Sequence, residues 1–214
     1  MKLKTCGFMA VALILLTGAH AAANLLVNPG FEDPITSDGP PFVGFWEGFA
    51  GGNAVSARGT DMPRNGMGHL ALEISGNDTF AGAFQDVEGL VPGQLMHFSV
   101  WHKTLELPFT LIPEMRIEWR KTGQDPEVSR TPNLTVLPTT EYTPVSLTAA
   151  VPAGADTARV VYAIQSFTNE GLADVGTLYV DDASLTVVPE PASLALLAFG
   201  AVGLAGGMYR RRRK

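Results

Sequence analysis

Leu95-Met96-His97-Phe98-Ser99-Val100-Trp101-His102-Lys103 alternates almost residue by residue. Met96, Phe98 and Val100 fall on one side, and His97, Ser99, Trp101 and Lys103 on the other. A period of two with one apolar side predicts a β-strand with one face buried. The same pattern returns outward along the chain. Met115, Ile117 and Trp119 oppose Arg116, Glu118 and Arg120, and Ala158, Val160, Tyr162 and Ile164 repeat it. Further strand-like segments are His69–Ile74, Thr79–Val87, Tyr142–Val151 and Thr177–Val187, while the connection from Pro29 to Asn65 has room for one or two short strands beside loops. Gly and Pro punctuate the intervals, at Pro92-Gly93 and Pro152-Ala153-Gly154 among others, and no window holds a helical period. These features predict an all-β, two-layer antiparallel β-sandwich.

The two ends of the chain are of a different kind. Lys2 and Lys4 precede an apolar run, Phe8–Leu16, followed by small residues to Ala23, as in a secretory signal peptide over residues 1–23. Cys6, the single cysteine, leaves with that segment, so the exported part has no thiol or disulfide. At the other end stand Pro189-Glu190-Pro191, an uncharged stretch Ala192–Tyr209, and Arg210-Arg211-Arg212-Arg213-Lys214. Eighteen helical residues rise about 27 Å, enough to cross a bilayer core, and the cationic end stays cytoplasmic. The expected organisation is therefore a signal peptide at 1–23, a sandwich domain at 24–188, and a tail at 189–214 with a transmembrane helix at 192–209 and a basic end at 210–214.

The order Pro-Glu-Pro, short span, arginine cluster resembles the PEP-CTERM sorting signal of bacterial envelope proteins. That resemblance implies an exosortase-type membrane protease as a partner. It also implies passage through the cytoplasmic membrane, as a transient or permanent anchor, and delivery to the cell surface or extracellular matrix. The rest of the chain carries a second resemblance. Asn24-Leu25-Leu26-Val27-Asn28-Pro29-Gly30-Phe31-Glu32 is similar to the opening strand of galactose-binding-like jelly rolls, which include many carbohydrate-binding modules. Phe84-Gln85-Asp86-Val87, Leu90-Val91-Pro92-Gly93 and Phe98-Ser99-Val100-Trp101 look like their central strand pair. Leu178-Tyr179-Val180-Asp181-Asp182-Ala183-Ser184-Leu185 looks like their closing strand.

On that closing strand Leu178 and Val180 share one parity, and Ala183, Leu185 and Val187 the other. One inserted residue at Asp181-Asp182, a β-bulge, would keep the apolar face continuous. In the jelly rolls that the chain resembles, the first Asp of such a pair and the Glu closing the opening motif bind a structural calcium. The resemblance thus implies Ca2+ at Glu32 and Asp181, a donor set that suits a hard, oxygen-seeking cation.

Of the chain's 15 Lys and Arg, seven lie in the two ends, against one of its 21 Asp and Glu, so the domain carries about −12. This argues against nucleic acid as a partner. His97 and His102 differ in parity, no metalloprotease pair or serine elbow occurs, and scattered carboxylates are what an acidic secreted surface displays, so no enzyme is expected. A sugar-binding face is expected instead, since aromatic rings stack on sugar C–H faces while planar polar groups meet hydroxyls. Its candidate residues are Trp101 with His97, joined by Arg116, Glu118 and Arg120 if their strands pair. Trp46 is a second platform or a loop anchor, and Trp119 belongs to the core. The leading expectation is an exported, non-enzymatic protein that binds polysaccharide, plausibly exopolysaccharide. The alternatives are an adhesive matrix protein without a sugar site and a secreted glycosidase-like enzyme.

Overall fold

The computed structural model describes residues 23–124, 126–167 and 175–189. Residues 1–22 of the expected signal peptide, Glu190, Pro191, the expected transmembrane span and Arg210–Arg213 lie outside the described residues; Ala23 and Pro189 lie within them. Among the described residues no helix is long and apolar enough to cross a membrane.

The described residues form ten strands: β1 Glu47–Ala50, β2 Ala54–Gly59, β3 His69–Ser75, β4 Phe80–Glu88, β5 Leu95–Lys103, β6 Ile112–Arg120, β7 Ser129–Arg130, β8 Thr143–Ala150, β9 Thr157–Gln165 and β10 Val175–Val187. They form two five-stranded antiparallel sheets. The first has the order β1-β4-β9-β6-β7 and the second β2-β3-β10-β5-β8. The alternating faces meet between them. Met96, Phe98 and Val100 from β5 pack against Met115, Ile117 and Trp119 from β6 and Val160, Tyr162 and Ile164 from β9 in one core. Among the described residues, every member of that core lies between Leu26 and Val187.

The change of phase on the closing strand is a bulge. The β10–β5 register runs through Asp181↔Trp101 and resumes at Ser184↔Ser99, with Asp182 at φ 47°. Leu178, Val180, Ala183 and Leu185 all face the core as a result.

The topology corrects one expectation. β5 pairs with β10 and β8, whereas β6 pairs with β9 and β7, so the two strands belong to opposite sheets. Arg116, Glu118 and Arg120 therefore point away from the sandwich on the side opposite Trp101 and His97.

Candidate functional site

On the outer face of the first sheet, β4 presents Phe80, Gly82 and Phe84 and keeps Ala81 and Ala83 in the core. Phe49 of β1 lies beside them, its ring so close to Gly82 that a Cβ there would meet it at 2.3 Å. The rings form a continuous row, Phe167–Phe80–Phe49–Phe84–Phe42, with centroid spacings of 5.9, 6.0, 6.0 and 5.0 Å. Outward side chains of β9, Val161 and Ala163, give the row a small-residue floor.

A ladder of planar charged groups runs along the other side of that floor. Glu118 accepts from Arg116 Nε at 2.9 Å and Arg120 Nη2 at 3.0 Å, and Arg130 stands 3.9 Å away. Burial alone would raise the Glu118 carboxyl, but the hydrogen bonds from Arg120 and Arg116 outweigh it and hold the group below its ordinary range. Arg159 grips Asp86 through two bonds of 2.6 and 2.8 Å, and its guanidinium stacks 4.0 Å from the Phe84 centroid. Two clefts open on this face. One, of about 250 Å³, lies among Phe49, Phe80, Phe167, Ala163 and Arg116, and the other, of about 410 Å³, among Phe42, Asp86, Arg120, Thr157 and Arg159. Phenylalanines and fixed charged groups thus line both clefts of this face, the trough, with Arg116 in the first and Asp86, Arg120 and Arg159 in the second.

The tryptophans expected to serve a ligand are placed differently. Trp46 is 2% exposed; it packs on Phe31 at 4.8 Å and donates its Nε1–H to the Asn28 carbonyl at 3.0 Å, so it anchors the opening segment. Trp101 is half-buried on the outer face of the second sheet, with the Arg64 guanidinium 3.7 Å above its ring. Arg64 is in turn paired with Asp182. His97, on the same face, shares a 2.9 Å hydrogen bond with Thr148. Arg64 thus caps the Trp101 ring, and in the same stretch the Met62 carbonyl accepts the Tyr142 hydroxyl at 2.7 Å. Trp119 is in the core, as expected.

Glu32 and Asp181 do converge. Oxygens of both carboxylates lie within 4 Å of the position that a Gly30 Cβ would take, at 3.6 and 3.8 Å. Gly66, at φ +65°, closes over Glu32 so tightly that a Cβ there would overlap its carboxylate. Asp181 is fully buried and accepts the backbone N–H groups of Arg64, Asn65 and Asp182. Burial pushes its carboxyl above the ordinary range, while Arg64 serves the neighbouring Asp182. A buried carboxylate beside a second acid, without a cationic side chain bonded to it, is costly and fits a cation site. Among the described residues no cluster of three or more His, Cys, Asp or Glu gathers. The remaining ligands of a cation here would be carbonyls and water, which calcium accepts.

In the core, His102 of β5 meets Tyr162 of β9 through Nδ1···Oη at 2.5 Å, joining the two sheets. Its Nε2 has no hydrogen-bond partner among the described residues. Burial lowers the His102 pKa to about 4.

Comparison with known proteins adds to this geometry. Residues 187–214 match the PEP-CTERM protein-sorting motif, which makes this an exported protein processed at the membrane. The sandwich aligns with the CBM22-1 xylan-binding domain of Paenibacillus barcinonensis Xyn10C at a TM-score of 0.53 and 15% identity, over 81% of this chain and 99% of that one. A family 4 carbohydrate-binding module aligns at 0.51 and 20%, over 76% and 99%. The fold is the jelly roll of carbohydrate-binding modules. The enzymatically active domain of bacteriophage CBA120 tailspike protein 4 aligns at 0.59 and 17%, over 77% of this chain, which spans only 21% of it. No curated protein matches the sequence.

The aromatic row escaped a reading of the sequence because its members are spread from Phe42 to Phe167. The one local signal was Phe80-x-Gly82-x-Phe84, large residues at every second position beside Ala81 and Ala83.

Proposed function

We propose that this is an exported, non-catalytic carbohydrate-binding protein whose polysaccharide lies in the trough on the outer face of the first sheet. The observation that carries the reading is the row of five phenylalanines, partly open to solvent, beside the Glu118 and Asp86 ion-pair ladder. Rings of this kind offer flat apolar surface to sugar C–H faces, and arginines and carboxylates already locked in place lose little freedom in meeting hydroxyls. The acids and bases of the ladder are mutually paired, which suits a ligand rich in hydroxyls, such as exopolysaccharide.

A glycan array probed with residues 24–188 tests this. Binding is expected, and Phe84→Ala or Phe49→Ala should weaken it by roughly tenfold or more, since one stacked ring contributes about 1–2 kcal/mol. Trp101→Ala should leave it unchanged. Retention that survives Phe84→Ala and is lost in Trp101→Ala would move the site to the second sheet and overturn the proposal.

We further propose that an exosortase-type protease removes the tail, and that calcium is held by Glu32 and Asp181. For the first, mass spectrometry of the mature protein should find no Arg210–Lys214. An intact C-terminus in the cytoplasmic membrane would instead mean a plain anchor.

A further inference from the structure

Both ends of the chain that meet the membrane join the sandwich at one end. The tail follows β10, whose pairing with β5 extends one residue further, Val188 N–H donating to Leu95 O at 2.8 Å. The residues after the expected signal peptide fasten beside the same end of β10, with Leu25 N–H on Leu185 O at 2.9 Å. Only Pro189, Glu190 and Pro191 stand between Val188 and the expected span at Ala192. Fully extended, that connection reaches about 14 Å. The headgroup layer on each side of a bilayer is itself roughly 5–7 Å deep. While the tail is attached, this end of the sandwich is therefore held against the membrane.

Two loops project at that end, beside the exit of the tail. Residues 89–94, Gly-Leu-Val-Pro-Gly-Gln, lead into β5, and residues 151–155, Val-Pro-Ala-Gly-Ala, follow β8. Neither holds a charged side chain. They are tied together by Gly93 N–H on Val151 O and Val151 N–H on Gln94 O, both at 2.9 Å. Gly93 and Gly154, each at φ +90°, make the tight turns. Leu90, Val151 and Ala155 point into the core and anchor the loops from within. Their other apolar residues are left outside: Val91 is 56% exposed, Leu95 at the start of β5 is 41% exposed, and Pro92 and Ala153 are exposed as well. The nearest acids stand at the loop bases. Glu88 ends β4, and Asp156 accepts the N–H and hydroxyl of Thr122.

We propose that the tips of these two loops rest in the lipid headgroup layer of the membrane that holds the span, for as long as the tail is attached. The tether decides the partner, because it leaves this end no room to stand clear of the bilayer. The chemistry agrees. A domain carrying about −12 is repelled by anionic headgroups, and the part it turns to the lipid is uncharged and apolar. So few side chains bind a vesicle weakly from solution, but the tail makes the contact intramolecular and raises its effective concentration. The contact also orients the domain. β4 runs from Phe80 to Glu88 beside the first loop, so the cleft among Phe49, Phe80 and Phe167 lies at the far end, away from the lipid.

The exported chain, residues 24–214, holds no cysteine, so a single introduced thiol can carry an environment-sensitive fluorophore. The chain is inserted through its tail into phosphatidylcholine vesicles whose headgroups bear a nitroxide. A reporter at Ala153→Cys should shift to the blue and lose most of its emission to the nitroxide. One at Leu107→Cys, exposed in the loop after β5 at the opposite end, should keep its aqueous spectrum. Adding Val91→Glu should return the Ala153 reporter toward its aqueous spectrum at an unchanged melting temperature. An Ala153 reporter that stays aqueous and unquenched, while one at Leu204→Cys shows the tail to be inserted, would overturn the proposal. Equal quenching at Ala153 and Leu107 would overturn it too, since the domain would then have no preferred end.

Discussion

Chelation should lower the melting temperature of residues 24–188 by on the order of 10 °C, and added calcium should restore it. An ion that binds only the folded state stabilises by about 2.7 kcal/mol at a hundred times its dissociation constant and about 4.1 kcal/mol at a thousand times. For a domain of this size each kcal/mol moves the midpoint by roughly 2–4 °C. The effect follows from where the charge sits: Asp181 is fully buried, and what it accepts comes from backbone N–H groups rather than from a cationic side chain. Asp181→Asn keeps the shape and removes the charge, so its melting curve should no longer respond to chelator or calcium. Glu32→Gln should reduce the response. A wild-type curve that is the same with and without calcium, on protein shown to be metal-free, rules out the ion.

Acid should destabilise the domain through His102 by about 3 kcal/mol between neutral pH and pH 4. The folded pKa of about 4 lies below the ordinary 6.5. The unfolded chain therefore takes up a proton that the folded one refuses. The stabilisation is complete above pH 6.5 and is lost as pH falls through that value toward the folded pKa. Protonation would place a cation between the sheets, where Nε2 has no acceptor among the described residues. Replacing both partners, His102→Leu with Tyr162→Phe, removes the titrating group without leaving the tyrosine hydroxyl unpaired. Urea titrations of the two proteins at a series of pH values should show the wild type losing about 3 kcal/mol more on acidification. Parallel curves would assign the acid sensitivity to other groups.

How far the fold was legible depended on how long each period lasted. β5 and β6 alternate clearly, and the faces they turn to the core are those the alternation marks; β9 turns the expected Ala158, Val160, Tyr162 and Ile164 to the core but buries Val161 and Ala163 on its other face as well. β7, with two residues, has no period to read. The bulge was visible because a change of phase within one strand has few physical remedies. Partnership between strands was not visible: β5 and β6 follow each other in the chain, yet a crossover places them in opposite sheets and separates Trp101 from Arg116. The proposed sugar face was hidden for another reason. In β4 the large residues point outward and Ala81 and Ala83 inward, because side chains such as Phe98 and Tyr162 already fill the interior. A reading that assigns the bulkier parity to the core inverts that strand, and what it takes for core is the open trough.

β10 is the last of the described strands yet stands in the middle of its sheet, between β3 and β5. The opening residues also fasten to it, through Leu25 N–H to Leu185 O and Asn24 to Ala183 and Leu185. β3 and β5 are therefore joined only through a strand far downstream of both, so completing this sheet depends on contacts of high sequence separation. The sorting motif begins at residue 187, the last of β10. The proposed cut, if it falls beyond Pro189, leaves every paired residue of β10 in place.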